Sequence, residues 1–247
     1  MDYDRRNVYQ TRQQRRMSFA AGNRREWTVE RNKLLEAALP ARLEPAERPE
    51  ELVDMALARG DALTGWQITG ADLTGMDLTE LEVQGCLFQG CRFTGSNWHG
   101  ARFSDVVFRN CECSALQAED ADFCRCRFEN VKAMGASFAG SRLAHVRLEN
   151  SNFRQANLTG ALLQQVLWKQ TDLSEAFLAQ CRHKGLTFRE CTLMSTSFFG
   201  TLLNGLDFTD SRMEGIVVSD TGKELRGAIV NVSQAADLAR VLGLVIR

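Results

Sequence analysis

The stretch ADLTGMDLTELEVQGCLFQGCRFTGSNWHGARF, residues 71–103, repeats one pattern every five residues. Each unit has a large apolar residue at its centre, such as Leu73, and a small residue two places earlier, such as Ala71. The frame runs without interruption over 31 central positions, from Ile68 to Val218, and 27 of them hold Leu, Ile, Val, Met, Phe or Trp. In 24 of the 31 units the small position holds Ala, Cys, Ser, Thr or Val. This regularity indicates a repeat architecture.

A period of five fits neither an α-helix, with 3.6 residues per turn, nor a β-strand, with two, over such a length. It fits a chain that turns a corner every five residues and sends one large and one small side chain inward from each short side. Four sides give 20 residues per coil. The frame therefore predicts a right-handed quadrilateral β-helix, an all-β solenoid of about eight coils whose inward residues stack into one continuous core.

The repeated units resemble the pentapeptide-repeat proteins, whose loose motif is A(D/N)LXX. Matching units are Ala71-Asp72-Leu73-Thr74-Gly75, Ala121-Asp122-Phe123, Ser151-Asn152-Phe153, Ala156-Asn157-Leu158-Thr159-Gly160 and Thr171-Asp172-Leu173. The resemblance covers roughly residues 63–222 and implies the same β-helical fold. It is specific for the fold and not for function, since the family hosts many roles.

The N-terminal quarter of the chain lacks the repeat. Residues 1–25 hold seven arginines against two aspartates, which is typical either of a basic arm for an acidic partner or of a flexible tail. Residues 26–60 are predicted to be a helical extension and cap, with helices over Trp27–Leu39 and Pro49–Arg59. We expect the second helix to cap the first coil of the solenoid, residues 61–222, because solenoid ends need covering.

Residues 223–247 are predicted to form a C-terminal cap or dimerisation element. A helix opens at Ser233-Gln234, runs through Leu242 and is closed by Gly243, and an apolar strand follows over Leu244–Ile246. The family resemblance implies a two-fold homodimer through this end, and a monomeric cap is the alternative. The candidate dimer contacts are Leu238, Val241, Leu242 and Leu244.

The eight cysteines invite a zinc site, but the repeat frame assigns them to the core instead. Seven of them occupy inward positions: Cys86, Cys91, Cys111, Cys113, Cys126, Cys181 and Cys191. Cys124 alone is predicted to face solvent. His183 stands at a central position, where a satisfied core histidine or a distorted coil is expected. The sequence holds no catalytic motif and a filled core leaves no catalytic pocket, so we predict neither an enzyme nor a cofactor or metal.

Residues 20 apart stack on one face, so the four faces can be compared for charge. The face through Leu78, Trp98, Phe138 and Leu158, the acidic face below, carries five acids and no Lys or Arg. It also shows two outward phenylalanines on adjacent coils, which mark a protein contact unless a terminal helix or a dimer mate covers them. The predicted partner-binding residues are Asp77, Glu80, Glu119, Asp120, Phe177, Phe199 and Asp220.

Two functions follow from these observations. The first is a non-enzymatic rod that engages a protein partner through its acidic and apolar face. The alternative comes from the family resemblance, which includes DNA mimics that bind type II topoisomerases such as DNA gyrase and protect them from quinolone-type inhibitors. Residues 61–224 hold 20 acidic and 15 basic residues, a net charge of −5, whereas duplex DNA bears one charge per about 1.7 Å. The sequence has no signal peptide or membrane span, so a cytoplasmic protein is expected.

Overall fold

A computed structural model describes residues 33–246 of the chain. From Leu34 onward these residues belong to one compact unit. Its helices are α1, Pro49–Arg59, and α2, Val232–Val241, with a short 3-10 turn at Lys223–Leu225. Its strands are β1 Glu44–Pro45, β2 Leu63–Thr64, β3 Trp66–Thr69, β4 Glu82–Gln84, β5 Leu87–Gln89, β6 Arg102–Ser104, β7 Val107–Arg109, β8 Asp122–Cys124, β9 Arg127–Glu129, β10 Arg142–Glu149, β11 Leu162–Lys169 and β12 Arg182–Arg189.

The strands form parallel ladders in which each residue pairs with the residue 20 places later. Phe88 pairs with Phe108 on face one, the face through Ile68, and Phe103 pairs with Phe123 on face four, the face through Val83. On face two, through Leu73, and on the acidic face, successive turns pair through single bridges, such as Asp77 to Asn97. The predicted quadrilateral β-helix is therefore confirmed.

The corners explain the period of five. Every fifth residue from Gly65 to Gly205 has a φ between 50° and 76°, the left-handed region, and sixteen of these corner residues are not glycine. Such a residue turns the chain, so that the small residue directly after the corner and the large residue two places further on both point inward, as Val106 and Phe108 do after Asp105. The corner conformation is thus imposed by stacking even where no glycine favours it.

The inward positions form the core as predicted. Of the 31 central positions, 29 are buried, and the exceptions are His183 and Val218. The rings of Phe88, Phe108 and Phe128 stack down face one, with centroids 5.3 and 4.8 Å apart. The prediction that seven cysteines point inward is also confirmed, since these seven thiols are buried, while Cys124, which was predicted to face solvent, is half-buried.

The solenoid has about seven regular turns, one fewer than predicted, because the last coil departs from the ladder. On face one and on face four, seven parallel strands stack one above another, and β12 is the last of them. Among the described residues, no backbone hydrogen bond joins 181–190 to 201–210, although the ladder continues beside them from Leu193 N to Arg212 O at 2.7 Å. The half-buried His183 lies at this seam, where its Nε2 contacts the Leu202 carbonyl at 2.5 Å. The coil around His183 is therefore distorted, one of the two outcomes expected for this residue.

We expect His183→Leu to stabilise the last coil. A leucine fills the central position as Leu163 does one turn earlier, and burial of its side chain gains about 1.5–3 kcal/mol. The lost imidazole contact offsets about 0.5–1.5 kcal/mol of this gain. Urea denaturation followed by far-UV circular dichroism should show a net stabilisation of about 1 kcal/mol. Leu163→His is the matched control and should destabilise, and an unchanged or lower midpoint for His183→Leu would show that the seam has another cause.

The N-terminal extension is helical only in part. The helix predicted over Trp27–Leu39 is wrong for residues 33–39, which are not helical, while residues 27–32 and the basic segment 1–25 lie outside the described chain. Pro40 disfavours helix in the residue before it, and the backbone instead lies against the solenoid. The second predicted helix is confirmed as α1, which buries Val53 and Ala56 in the core cluster and so caps the first turn.

The C-terminal end closes the solenoid with an irregular turn and α2. Residues 224–229 pair with 203–208, as in the bond from Phe208 N to Ile229 O at 2.9 Å. The α2 helix begins after Asn231, whose side chain forms a reciprocal capping box with Gln234. Residues 244–246 form no strand, contrary to expectation. No helix within residues 33–246 is long and apolar enough to cross a membrane.

Candidate protein-binding face

The acidic face presents its predicted binding residues outward. Glu119 is half-exposed and the other four acids of this face are exposed. Phe177 and Phe199 expose 50% and 48% of their surface. Neither α1 nor α2 therefore covers the two rings, and cover by a dimer mate stays an alternative to a binding role.

Charge compensation separates the acidic face from the rest of the solenoid. Elsewhere, most acids are paired with an arginine about one turn away. These pairs are Asp72 with Arg92, Glu82 with Arg102, Asp105 with Arg125, Asp122 with Arg142, Glu129 with Arg109, Glu149 with Arg127, Glu175 with Arg154 and Asp210 with Arg189. Within the described chain, Asp77, Glu119, Asp120 and Asp220 form no ion pair. The charge of these four carboxylates is thus not compensated by any described residue.

Asp77 shows how the face keeps a carboxylate ionised without a cation. Its Oδ1 accepts hydrogen bonds from the Thr79 hydroxyl at 2.5 Å, the Thr79 N–H at 3.2 Å and the Asn97 side-chain amide at 3.1 Å. The bond from the Thr79 hydroxyl is the largest of the effects that lower the pKa of Asp77. Since these donors are neutral, the carboxylate stays charged and still attracts cations from solvent.

The structure separates the acids from the phenylalanines along the rod. Asp77 and Phe177 occupy the same column but lie five turns apart, which corresponds to about 24 Å at the usual spacing of stacked strands. Glu119 and Asp120 lie on the third turn, and Asp220 follows the last. The predicted residues therefore form no compact site: four of the five acids lie toward the first turns, and Asp220 and the apolar cluster lie toward the last.

The apolar cluster is larger than the sequence analysis indicated. Phe177, Ser197 and Val217 pair in one column, and Val217 is 48% exposed. Leu202, across the Gly200 corner from Phe199, is 59% exposed. Leu202 and Val217 each stand one place before a central position, where the frame points the side chain outward. An apolar residue at such a position was the sequence signal that could have identified them. The four side chains, Phe177, Phe199, Leu202 and Val217, are called the apolar end below.

The predicted dimer residues divide into two groups. Leu238 is buried in the core cluster, so the cap of its own chain already uses this side chain. Val241, Leu242 and Leu244 are 39%, 47% and 61% exposed. Dimerisation through the C-terminal end stays a prediction that rests on these three residues.

The inward chemistry of the described residues is that of a packed core. Burial raises the pKa of the Cys181 thiol to about 11 and raises that of Cys86 as well, which keeps both thiols protonated. Within residues 33–246 no three His, Cys, Asp or Glu side chains are grouped to hold a metal ion. A polar groove of about 640 Å³ between faces one and two is lined by corner residues such as Asn130, Asn150 and Gln170.

A four-sided parallel β-solenoid with a packed interior defines the class of fold to which the chain belongs. The chain belongs to the pentapeptide-repeat family: the model of a pentapeptide repeat region matches residues 101–178 and 121–198, and a model of eight pentapeptide repeats matches residues 63–95. No curated protein sequence is significantly similar to the chain.

Solved structures of the same fold are similar to the chain at low sequence identity. One is QnrB1, a plasmid-mediated fluoroquinolone resistance protein, with 19% identity, a TM-score of 0.42, and coverage of 89% of this chain and 95% of that one. Another is HetL from the cyanobacterium Nostoc, involved in the regulation of heterocyst differentiation, with 17% identity, a TM-score of 0.25, and coverage of 72% and 92%. A thylakoid-lumen protein of Arabidopsis thaliana has 25% identity and a TM-score of 0.31, with coverage of 38% and 63%.

Proposed function

We propose that the protein is a non-enzymatic scaffold that binds a protein partner through the acidic face and its apolar end. The observation that carries this proposal is the contrast in charge pairing: Asp77, Glu119 and Asp120 form no ion pair with a described residue, while most acids on the other faces are paired with arginines. A solvated surface ion pair contributes little to stability, but an uncompensated row of charges steers a complementary partner toward the rod.

The apolar end supplies the part of the interface that holds the partner. Large aromatic side chains in a contact dominate binding energy once they are desolvated, and Phe177 and Phe199 are each about half exposed within the chain. The partner therefore presents basic residues toward the first turns and an apolar surface toward the last. Reduced, buried thiols fit a cytoplasmic location for this activity.

Substitution of the two phenylalanines tests the proposal. We expect the double variant Phe177→Asp with Phe199→Asp to lose at least tenfold in affinity for the partner isolated on the wild-type protein, because two contact rings are removed and two charges are added. The measurement is surface plasmon resonance with the purified partner. Met134→Asp with Leu162→Asp is the matched control, since these exposed apolar residues lie on face two and face four.

Retained affinity in the phenylalanine variant, with both variants folded by circular dichroism, would refute the apolar end as the contact. A salt titration tests the acids separately. Binding that uses Asp77, Glu119 and Asp120 weakens as ionic strength rises, because surface charges are screened beyond about 8–10 Å at 0.1–0.15 M.

The alternative function, mimicry of DNA toward a type II topoisomerase, is supported by the same unpaired acids and opposed by their small number. A net charge of −5 over residues 61–224 is far below that of a duplex of similar length. A gyrase supercoiling assay separates the two functions. The absence of both inhibition and protection from a fluoroquinolone at micromolar excess of the protein would remove the mimic and leave the scaffold.

A further inference from the structure

Residues 34–46, called the strap, run lengthwise over the corner between faces four and one. The Leu35 N–H donates to His145 Nδ1 at 3.2 Å, and the Ala38 N–H donates to Asp105 Oδ1 at 3.0 Å. Further toward the first turn, Pro40 lies against Gly85. The strap ends as β1, which pairs with β3. It therefore crosses five successive turns of the solenoid, from the level of His145 to that of Trp66.

The surface beneath the strap is unlike an ordinary outer face. Leu87 and Val107 point outward in the repeat frame, yet they are only 9% and 6% exposed. Both follow corner residues that the strap contacts, Gly85 and Asp105 respectively. Asp105 is 7% exposed and is held by Arg125 through two bonds of 2.7 and 2.6 Å. An apolar strip flanked by a fixed acceptor is therefore built into this corner.

Charge adds a third contact to this surface. Arg147 forms an ion pair with Glu36 of the strap. Arg127 lies one turn earlier in the same column and is shared between Glu129 at 2.5 Å and Glu149 at 2.9 Å. The corner thus offers a guanidinium for a carboxylate, a carboxylate for a main-chain N–H, and an aliphatic strip for an apolar side chain.

The strap is held less firmly than the coils that it crosses. Between Leu34 and Leu43 its main chain contacts the solenoid through side chains of His145 and Asp105, whereas each coil is joined to the next by backbone bonds on every regular face. Leu35 is 42% exposed, and Leu34 and Leu39 are only partly buried. Segments with few buried contacts open at low free energy relative to the core.

We propose that the corner between faces four and one is a second binding surface, and that it takes an extended peptide with a carboxylate followed by aliphatic residues, in exchange for the strap. The contacts of the strap indicate the chemistry of such a peptide. Glu36 pairs with Arg147, the Ala38 N–H donates to Asp105, and the strap residues after Ala38 run past Val107 and Leu87. The strap holds the surface closed until a competing segment replaces it. The proposal concerns other faces than the acidic one, so either can fail alone.

A synthetic peptide of residues 33–46, KLLEAALPARLEPA, labelled with fluorescein, serves as the competing segment. The receptor is the full chain with Glu36→Arg and Ala38→Pro, which removes the ion pair to Arg147 and the N–H that donates to Asp105. We expect this variant to bind the peptide at least tenfold more tightly than the wild type by fluorescence anisotropy. The reason is that the wild-type strap competes within the same molecule at a high effective concentration.

Two further variants define the site. Glu47→Arg with Ala41→Pro is the control for charge and proline content, and it should bind the peptide as weakly as the wild type. Val107→Lys, added to the strap-weakened variant, should abolish binding because it places a charge in the apolar strip. Equal affinities of the strap-weakened variant and the wild type, or binding that survives Val107→Lys, would overturn the proposal.

Hydrogen exchange on the unmodified protein provides a test without substitutions. The amides of Leu35 and Ala38 should exchange at least 100-fold faster than those of Phe93 and Trp98, which bond to the next coil. Exchange of the strap amides as slow as that of the coil amides would show that the strap is a permanent part of the solenoid and would equally overturn the proposal.

Discussion

Phe108→Ala is expected to lower the free energy of unfolding by about 3–5 kcal/mol, the range for removal of a fully buried phenylalanine. Its ring stacks between Phe88 and Phe128, with centroids 5.3 and 4.8 Å away, and contacts Trp98 at 5.4 Å. Truncation leaves a cavity that the flanking turns cannot close, because their backbone ladders fix the spacing of the coils. The measurement is urea denaturation followed by far-UV circular dichroism.

Phe199→Ala is the matched control for this experiment. The same atoms are removed, but from a side chain that is 48% exposed on the outer wall, so the change should stay within about 0.5 kcal/mol. Similar losses for the two variants would contradict the division into inward and outward positions on which the fold depends. A much smaller loss for Phe108→Ala would show that the coils relax into the cavity.

Glu224→Gln is expected to destabilise the C-terminal closure by about 1.5–3 kcal/mol, the usual contribution of a hydrogen bond to a charged group. The Glu224 side chain is 1% exposed. Its two oxygens accept from the Gly200 N–H at 3.0 Å, the Ser219 N–H at 3.3 Å and the Ser219 hydroxyl at 2.7 Å. A glutamine presents an NH₂ group to at least one of these donors. Urea denaturation and amide exchange at Leu203, which donates to the Glu224 carbonyl, report the loss.

The effect of Glu224 depends on pH in a defined direction. Burial by itself raises the pKa of this carboxyl, but the bonds from Ser219 and Gly200 outweigh burial and leave the pKa below its ordinary value of 4.5. A lowered pKa in the folded state means that the stabilisation is complete above about pH 4.5 and is lost as the pH falls through the folded-state pKa. The difference between wild type and Glu224→Gln should therefore shrink below that pH.

Glu214→Gln supplies the control at the same end of the solenoid. Glu214 is exposed, so this substitution should change the free energy of unfolding by less than about 0.5 kcal/mol at any pH. A difference between wild type and Glu224→Gln that persists unchanged at pH 3 would mean that the carboxylate charge does not stabilise the closure.

Most of the solenoid was predictable because its contacts repeat at one sequence separation. A residue at an inward position packs against residues 20 places before and after it, so the frame that placed Phe88 in the core also placed Phe108 and Phe128 there. The same frame explains the surface pairs, since Asp72 and Arg92 or Asp105 and Arg125 differ by one turn. The acidic face could be recognised in the sequence for this reason.

For the candidate site, the sequence predicted which residues take part but not their positions along the solenoid or all of their exposed neighbours. The frame assigned Asp77, Glu119 and Phe177 to one face. The structure places Phe177 five turns from Asp77 and adds Leu202 and Val217 to the apolar end. Exposure depends on what lies beside a residue in the adjacent coil and across the corner. A residue-by-residue assignment to faces does not contain that information.

The sequence by itself determined which side chains point into the solenoid, how its turns stack and which face carries unpaired charge. Tertiary structure alone decided the course of the strap and the burial of Glu224. The physical reason is the separation of the partners: Leu35 meets His145 across 110 residues, and Gly200 meets Glu224 across 24. Neither separation is a multiple of the 20-residue turn, so no periodic rule predicts such contacts, and they form only where the folded coils bring the two segments together.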